Sequence, residues 1–296
     1  MRLLIVANIA KPGVRPALDS LLPWLKGRAE IVGVDENATT DLTKVNADAI
    51  LVLGGDGTLL SVARRLGGRP LLVMGVNFGR LGFLASFTAG DLREQLEVLF
   101  AGHFSVGRRM MLSASIVPAN ARDIDLRDPL AVANVRRFTC TALNDIVITA
   151  GPPFRMIELD LGTDGDIGVK YFGDGLIVST PSGSTAYNIS AGGPILNPPL
   201  EALCITPICP HSLSFRPVVV AADRTVMIVA SNVYPGTTLV CDGQVSTRLE
   251  RGDAIVVRKY EHDLLLIERP DARQWSVLAE KLHWAAIPKY NSVSKS

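Results

Sequence analysis

The 296 residues suffice for about two domains of roughly 150 residues each. Lys and Arg total 30 against 29 Asp and Glu, a formal net charge of +1, so no overall field holds nucleic acid or an anionic membrane, though a local basic pocket is compatible with the balance. At 48% hydrophobic and 20% charged the composition is globular, and aliphatic runs of about five residues, as at 218–222, fall far short of the ~20 a membrane-spanning helix needs.

The chain opens on Leu3–Ala7, an apolar run too short for a signal peptide and suited to a buried strand. Pro16–Lys26 reads as a helix and Ala29–Val34 as a second strand. Ala49–Leu53 is a fully apolar strand that runs straight into glycines. Thr58–Leu66 has helical spacing, with Leu59, Leu60, Val62, Ala63 and Leu66 on one side and Arg64 and Arg65 outward. Leu71–Val76 is another apolar strand, and Asp91 with Glu94 resembles a capping box opening a helix over Leu92–Phe100. Strands alternating with helices predict a parallel sheet covered on both faces.

From about Phe104 the pattern changes to short β-rich runs between turn residues. They are Asp145–Ile148, Met156–Leu161, Gly168–Tyr171, Leu176–Ser179, Pro217–Ala221, Val226–Ala230, Leu239–Cys241, Ile255–Arg258 and Leu264–Ile267. That spacing is typical of an all-β domain. The polar stretch 118–137 reads as a surface insertion. In the tail, helical spacing returns at Trp275, Leu278, Ala279 and Leu282, a segment that could pack back on the first domain. The expected division is an α/β domain over 1–103, a β-rich domain over 104–268 and a returning segment over 269–296. Cys140, Cys204, Cys209 and Cys241 have no C-x-x-C spacing, which leaves neither a disulfide scaffold nor a zinc pattern. Free, mostly buried thiols in a reducing cytoplasm are expected.

Four segments carry chemistry. The first is Gly54-Gly55-Asp56-Gly57-Thr58, between a buried strand and a helix. Glycines let a backbone approach a ligand closely, and the N–H groups opening a helix attract phosphate. A carboxylate there could take a proton from an alcohol, hold Mg²⁺, or simply cap the helix. Neither a Walker P-loop nor G-x-G-x-x-G occurs. The second segment, 75–84, follows the next apolar strand, and consecutive parallel strands could bring both loops to one crevice. The third, 173–194, gathers hydroxyls, an aromatic and glycines after one strand, a surface able to stack and hydrogen-bond a nucleobase or sugar. Thr180 stands where G-x-S-x-G needs Gly, against a serine hydrolase. The fourth is Asn144-Asp145, able to bind ribose hydroxyls or to form an Asx turn. The four histidines are scattered without metal-ligand spacing, and the paired arginines read as solvated faces.

In this order the segments resemble the NAD kinase family. Gly54–Thr58 matches its G-G-D-G-T motif, Asn144-Asp145 its Asn-Glu/Asp motif, and Thr180–Pro194 its long signature, with Ser182 in place of the usual Thr; Asp242-Gly243-Gln244 resembles its late Asp-Gly turn. The likeness covers roughly residues 1–285. It implies a Rossmann-like α/β domain, a sandwich-like all-β domain and a C-terminal return. It also implies phosphoryl transfer from ATP, or polyphosphate, to the 2′-hydroxyl of the adenosine ribose of NAD. Carried over by position, Asp56 is the catalytic carboxylate and Gly57 lies against the nucleotide. Asn144 and Asp145 hold adenosine, and Thr185, Ala186, Tyr187 and Ser190 build its pocket. Asp174 reaches toward the nicotinamide end, often across a subunit interface, so a homodimer or homotetramer is expected. Arg155 and Gln244 occupy dinucleotide-binding positions. Mg²⁺ is expected to arrive with the donor phosphates, with no metal held by the protein's own residues, and no nucleic acid or membrane partner is expected in a cytoplasmic enzyme. Two departures stand out: Asp145 is one methylene shorter than the commoner Glu, and Phe172 sits where some members are polar or basic. The alternatives are a lipid kinase sharing G-G-D-G and a non-catalytic dinucleotide-binding regulator.

Overall fold

The computed structural model describes residues 1–79, 82–90, 92–269 and 282. The proposed cap at Asp91 and the tail segment 269–296, apart from Arg269 and Leu282, lie outside the described residues.

Five strands in the first hundred residues pair in parallel: Glu30–Asp35, Arg2–Ala7, Ala49–Gly54 and Leu72–Asn77 in that spatial order, with the two-residue strand Phe87–Thr88 also on Leu72–Asn77. Their alternating residues fill two cores. Leu3, Ile5, Leu51, Leu53, Met74 and Val76 pack with Val14, Leu18, Leu21 and Leu25 of the helix Val14–Leu25 and with Leu92, Leu96 and Leu99 of the helix Leu92–Phe100. Leu4, Val6, Ile50, Val52 and Val73 face the opposite way, onto Leu59, Leu60, Val62 and Ala63 of the helix Asp56–Arg65 and onto Leu66 just after it. Period-two side chains with both faces covered explain why Arg2–Ala7, Ala49–Gly54 and Leu72–Asn77 read as largely unbroken apolar runs, unlike the edge strand Glu30–Asp35.

The second half forms two six-stranded antiparallel sheets. One runs Asp166–Gly173, Ile157–Thr163, Val226–Asn232, Ala254–Lys259, Leu112–Val117, Phe138–Ala142. The other runs Val218–Ala221, Ala202–Ile208, Gly175–Ser179, Asp145–Thr149, Thr238–Cys241, Val245–Arg248. A single core drawn from both sheets, including Leu112, Ile148, Leu159, Tyr171, Val178, Ile228, Leu239 and Val257, makes them a sandwich.

Two segments depart from the sequence reading. Leu264–Glu268, which has the strand spacing of the second half, joins the first sheet. It lies parallel to Leu72–Asn77, and Ser105–Arg109 pairs antiparallel on its other side. Leu264 and Leu266 enter one core of that sheet and Ile267 the other. Strand spacing alone does not say which sheet a strand extends. Within 118–137, Asp128 caps a short helix, Pro129–Val135, by accepting the Leu130 N–H at 2.8 Å. Its Val132 packs on Val117, Val229, Ala254 and Val256, so this polar stretch covers the outer face of one sandwich sheet.

Candidate functional site

The glycine loop stands where the strand Ala49–Gly54 ends and the helix Asp56–Arg65 begins. A Cβ on Gly54 would come within 2.3 Å of the Thr58 hydroxyl oxygen, and one on Gly55 within 2.2 Å of the Lys11 Nζ. A side chain at Gly54 would displace Thr58, and one at Gly55 would push aside the end of the Lys11 side chain. The second loop lies directly against the first, as parallel neighbours allow: the Phe78 N–H donates to the Gly54 carbonyl at 2.8 Å. The Asp56 carboxylate accepts the backbone N–H groups of Phe83 at 2.8 Å, Leu84 at 3.4 Å and Ala85 at 3.3 Å. A carboxylate offers about four lone-pair sites, so room remains for one more partner. Asp56 also opens the first turn of its helix, where a negative charge meets the positive end of the helix dipole.

Gly82 lies beneath this carboxylate: a Cβ there would sit 2.0 Å from Oδ2 and 2.1 Å from Oδ1. Gly82→Ala must therefore displace the end of the Asp56 side chain or lift the loop. Small misplacements of reacting groups cost on the order of 10²-fold. The expected result is a 10- to 100-fold fall in kcat with an unchanged melting temperature. Wild-type kcat in Gly82→Ala would show that the position of Asp56 does not matter to the reaction.

A cleft of about 480 Å³ opens beside the loop, lined among others by Asn8, Lys11, Gly57, Thr58, Ser61 and Gln244. The Gln244 amide donates to the Gly57 carbonyl at 2.7 Å and accepts from the Arg64 guanidinium at 3.0 Å. Gln244 thus joins the sandwich to the glycine-loop helix instead of facing the pocket of Asn144.

That second pocket, about 360 Å³, is lined by Asn144, Asp145, Val147, Thr149, Ala186, Tyr187, Val240, Asp242 and Gly243. Its frame is made by side chains gripping backbone. The Asp242 carboxylate accepts the N–H groups of Leu143 at 2.9 Å, Asn144 at 2.7 Å and Asp145 at 3.2 Å. The Thr180 hydroxyl donates to the Leu143 carbonyl at 2.6 Å, and the Thr180 N–H to the Asn144 carbonyl at 2.9 Å. A Cβ on Gly183 would lie 2.0 Å from that same Asn144 carbonyl. Deeper in the signature segment, Asn188 ties Ser184 and Pro194 together through its amide, at 3.0 Å each, and is itself fully buried. Much of the long signature therefore shapes the loop, while Ala186 and Tyr187 present themselves to the pocket.

Two features of the pocket call for a polar ligand. The Asn144 amide oxygen is buried without a hydrogen-bond partner among the described residues, which is costly unless a ligand or water supplies a donor. Asp145 is 5% exposed; burial, with the Asp242 carboxylate beside it, pushes its pKa up to about 7. Burial pushes Asp242 upward too, but three backbone N–H groups and the Arg64 charge oppose it. Of the pair, Asp242 is therefore the one held ionised and Asp145 the one that keeps a proton.

The remaining candidates lie elsewhere. Thr185 is half-buried and donates to the Ser182 carbonyl at 3.3 Å. Ser190 is exposed and absent from the pocket lining. Asp174 is exposed and precedes the strand Gly175–Ser179, whose far end pairs with Asp145. Five residues of strand put it roughly 16 Å from Asp145, but its carbonyl accepts the Ala150 N–H at 2.8 Å, beside Thr149 at the other end of the pocket lining. Arg155 is exposed, with its guanidinium over the Tyr234 ring at 5.4 Å. Lys11 carries no motif of its own, and the late Asp-Gly turn does not disclose the three-donor grip of Asp242. The first comes from a turn after the first strand, the second from a contact almost a hundred residues apart in sequence.

The two pockets meet at one turn: Gly243 lines the second and Gln244 the first. A glycine loop on a parallel sheet, beside a pocket carried by a β-sandwich, defines a two-lobed site. Family models describe the same two lobes, the ATP-NAD kinase N-terminal domain matching residues 7–104 and the ATP-NAD kinase C-terminal domain residues 143–269. The chain is 38% identical over 294 residues to the NAD kinase of Syntrophotalea carbinolica, covering 96% of this chain and 98% of that protein. It is 35% identical over 284 residues to that of Rhodopirellula baltica, covering 96% and 87%. Among solved structures it superposes on an Archaeoglobus fulgidus NAD kinase in complex with ATP, at TM-score 0.71 and 28% identity over 91% of this chain and 94% of that one. Yeast NADH kinase complexed with NADH shares the fold, at TM-score 0.85 and 21% identity over 98% and 89%. The chain belongs to the NAD kinase family.

Proposed function

We propose that this protein transfers the terminal phosphoryl group of ATP to the 2′-hydroxyl of the adenosine ribose of NAD, giving NADP. The observation that carries this reading is the meeting of the two pockets at Asp242-Gly243-Gln244, which sets a donor on the glycine loop beside an acceptor in the sandwich pocket. Both volumes, about 480 and 360 Å³, lie in the range of small-molecule sites.

In this reading Asn144 and Asp145 take ribose hydroxyls, Tyr187 stacks on the adenine, and Ala186 leaves room for it. Gly57 lies along the donor phosphates. Asp56, with one acceptor position left after its three backbone donors, receives the proton of the 2′-hydroxyl. Phosphoryl transfer passes through a loose transition state, so placement of donor and acceptor outweighs the strength of the base. Among the described residues, His, Cys, Asp and Glu form no group of three or more able to hold a metal. Mg²⁺ carried by the donor phosphates would supply charge neutralisation on them. Asp174, exposed beside the Thr149 end of the pocket lining, and Arg155, exposed and not among the lining residues, act on the nicotinamide half or across a subunit interface in a homodimer or homotetramer. No helix among the described residues is long and apolar enough to cross a membrane.

Protein incubated with NAD, Mg²⁺ and ATP should accumulate NADP phosphorylated only at the adenosine 2′-position. A parallel incubation with polyphosphate tests that donor. Phosphorylation of diacylglycerol in mixed micelles with NAD untouched would assign the G-G-D-G loop to a lipid kinase instead.

A further inference from the structure

Among the described residues, the donor cleft holds one cation whose charge is not already taken up. Of its lining residues, Lys11 and Arg65 are cationic and Asp35 and Glu36 anionic. Arg65 is paired with Asp35 through its guanidinium and also donates to the Thr40 carbonyl at 2.7 Å. Glu36 is held by Arg15, with one contact at 2.8 Å. Among the described residues no carboxylate lies within ion-pair distance of Lys11. Its ammonium makes one long contact, 3.4 Å, to the Gly54 carbonyl, which leaves most of its three-proton capacity unused.

The chain aims this group at the glycine loop. The Asn8 N–H donates to the Leu53 carbonyl at 2.9 Å, and the Lys11 N–H to the Asn8 carbonyl at 3.0 Å. That turn anchors Lys11 to the end of the strand that carries the loop. The ammonium then occupies the space a Gly55 side chain would need, 2.2 Å from the position of a Cβ there, and lies 3.8 Å from that of Gly79. It therefore sits over the start of the helix Asp56–Arg65, between the two loops. Gly55, the residue before that helix, supplies no side-chain cap.

We infer that Lys11 binds the phosphates of the donor, supplying the positive charge that the glycine loop lacks. A backbone loop contributes only N–H dipoles, and this one carries Asp56 in its midst. A tri- or tetra-anionic polyphosphate chain laid along it requires a compensating cation, and a lysine on a flexible stem suits a charge that moves from donor to acceptor. The inference rests on the proposed kinase activity for the identity of the donor, but it concerns anion binding that can be read without turnover.

The experiment measures inorganic tripolyphosphate binding by calorimetry, without NAD, to wild type, Lys11→Met and Lys11→Arg, alongside melting temperatures and both KM values. Lys11→Met should bind tripolyphosphate about 10- to 100-fold more weakly, the loss expected for a charge-assisted hydrogen bond. Its KM for ATP should rise by a similar factor while KM for NAD stays within about twofold, and Lys11→Arg should recover much of the affinity. Unchanged tripolyphosphate binding in a folded Lys11→Met protein overturns the inference even if NADP is formed. Parallel rises in both KM values with a lowered melting temperature, not rescued by Lys11→Arg, also overturn it, since they mark Lys11 as a prop for the Gly54 turn. Loss of tripolyphosphate binding in Lys11→Met supports it even if wild type leaves NAD untouched, in which case the kinase reading fails alone.

Discussion

Asp56→Asn should lower kcat by about 10²- to 10⁴-fold, the usual share of a positioned general base, while NAD affinity measured without turnover changes little. The amide keeps the shape of the carboxylate but has one acceptor oxygen instead of two. Against the N–H groups of Phe83, Leu84 and Ala85 it must also turn an NH₂ toward one donor or rotate away. The substitution thus removes the proton acceptor and loosens the loop that positions it. Loosening alone should resemble Gly82→Ala, a loss of one to two orders of magnitude, so the difference between the two variants isolates proton transfer. A Asp56→Asn protein with near-wild-type kcat would take Asp56 out of the reaction.

The second large effect is expected at Asp145, and it has a pH signature. In the free protein this carboxyl holds its proton to about pH 7. As an ionised group it can accept two ribose hydroxyls; protonated, it can offer one of its oxygens only as a donor. The kcat/KM for NAD should therefore rise with pH up to about 7 and then level off, and Asp145→Asn should flatten this limb. Asp145→Ala should lower kcat/KM for NAD about 10- to 150-fold, the worth of a charge-assisted hydrogen bond at 1.4 kcal/mol per tenfold. The KM for ATP should hold, and Asp145→Glu should retain substantial activity. Stability changes in the opposite sense. The folded pKa lies above the ordinary 3.8, so between about pH 4 and 7 the unfolded chain releases this proton and the folded one keeps it. The group's contribution is most favourable below pH 4 and falls as the pH rises to 7, by on the order of a few kcal/mol. Asp145→Asn should consequently gain melting temperature relative to wild type at pH 8 and not at pH 4. Unchanged NAD kinetics in Asp145→Ala with an altered melting profile would reduce Asp145 to a structural residue.

The sequence alone determined the elements whose physics is local. Buried parallel strands read as unbroken apolar runs because both faces are covered, so Leu3–Ala7, Ala49–Leu53 and Leu71–Val76 are legible, and so is a glycine loop that ends one of them. The hydroxyl- and glycine-rich stretch 180–194 could be seen as a unit because its ties, Thr180, Ser184 and Asn188 to nearby backbone, are mostly short-range. Only the tertiary structure decided what depends on long-range pairing. The strand Leu264–Glu268 carries the same apolar pattern as its neighbours in sequence but finds its partners at Leu72 and Arg109, because a β-pattern fixes which face is buried and not which edge is free. The helix Pro129–Val135 has one buried residue, Val132, too few for helical spacing to show. The raised pKa of Asp145 comes first from its burial and then from Asp242, 97 residues away in the chain, and the free charge of Lys11 exists because Arg65 and Arg15 have already taken the cleft's two carboxylates. Motifs record residue types at fixed spacing, whereas a proton's affinity or a cation's availability is set by whatever the fold packs beside it.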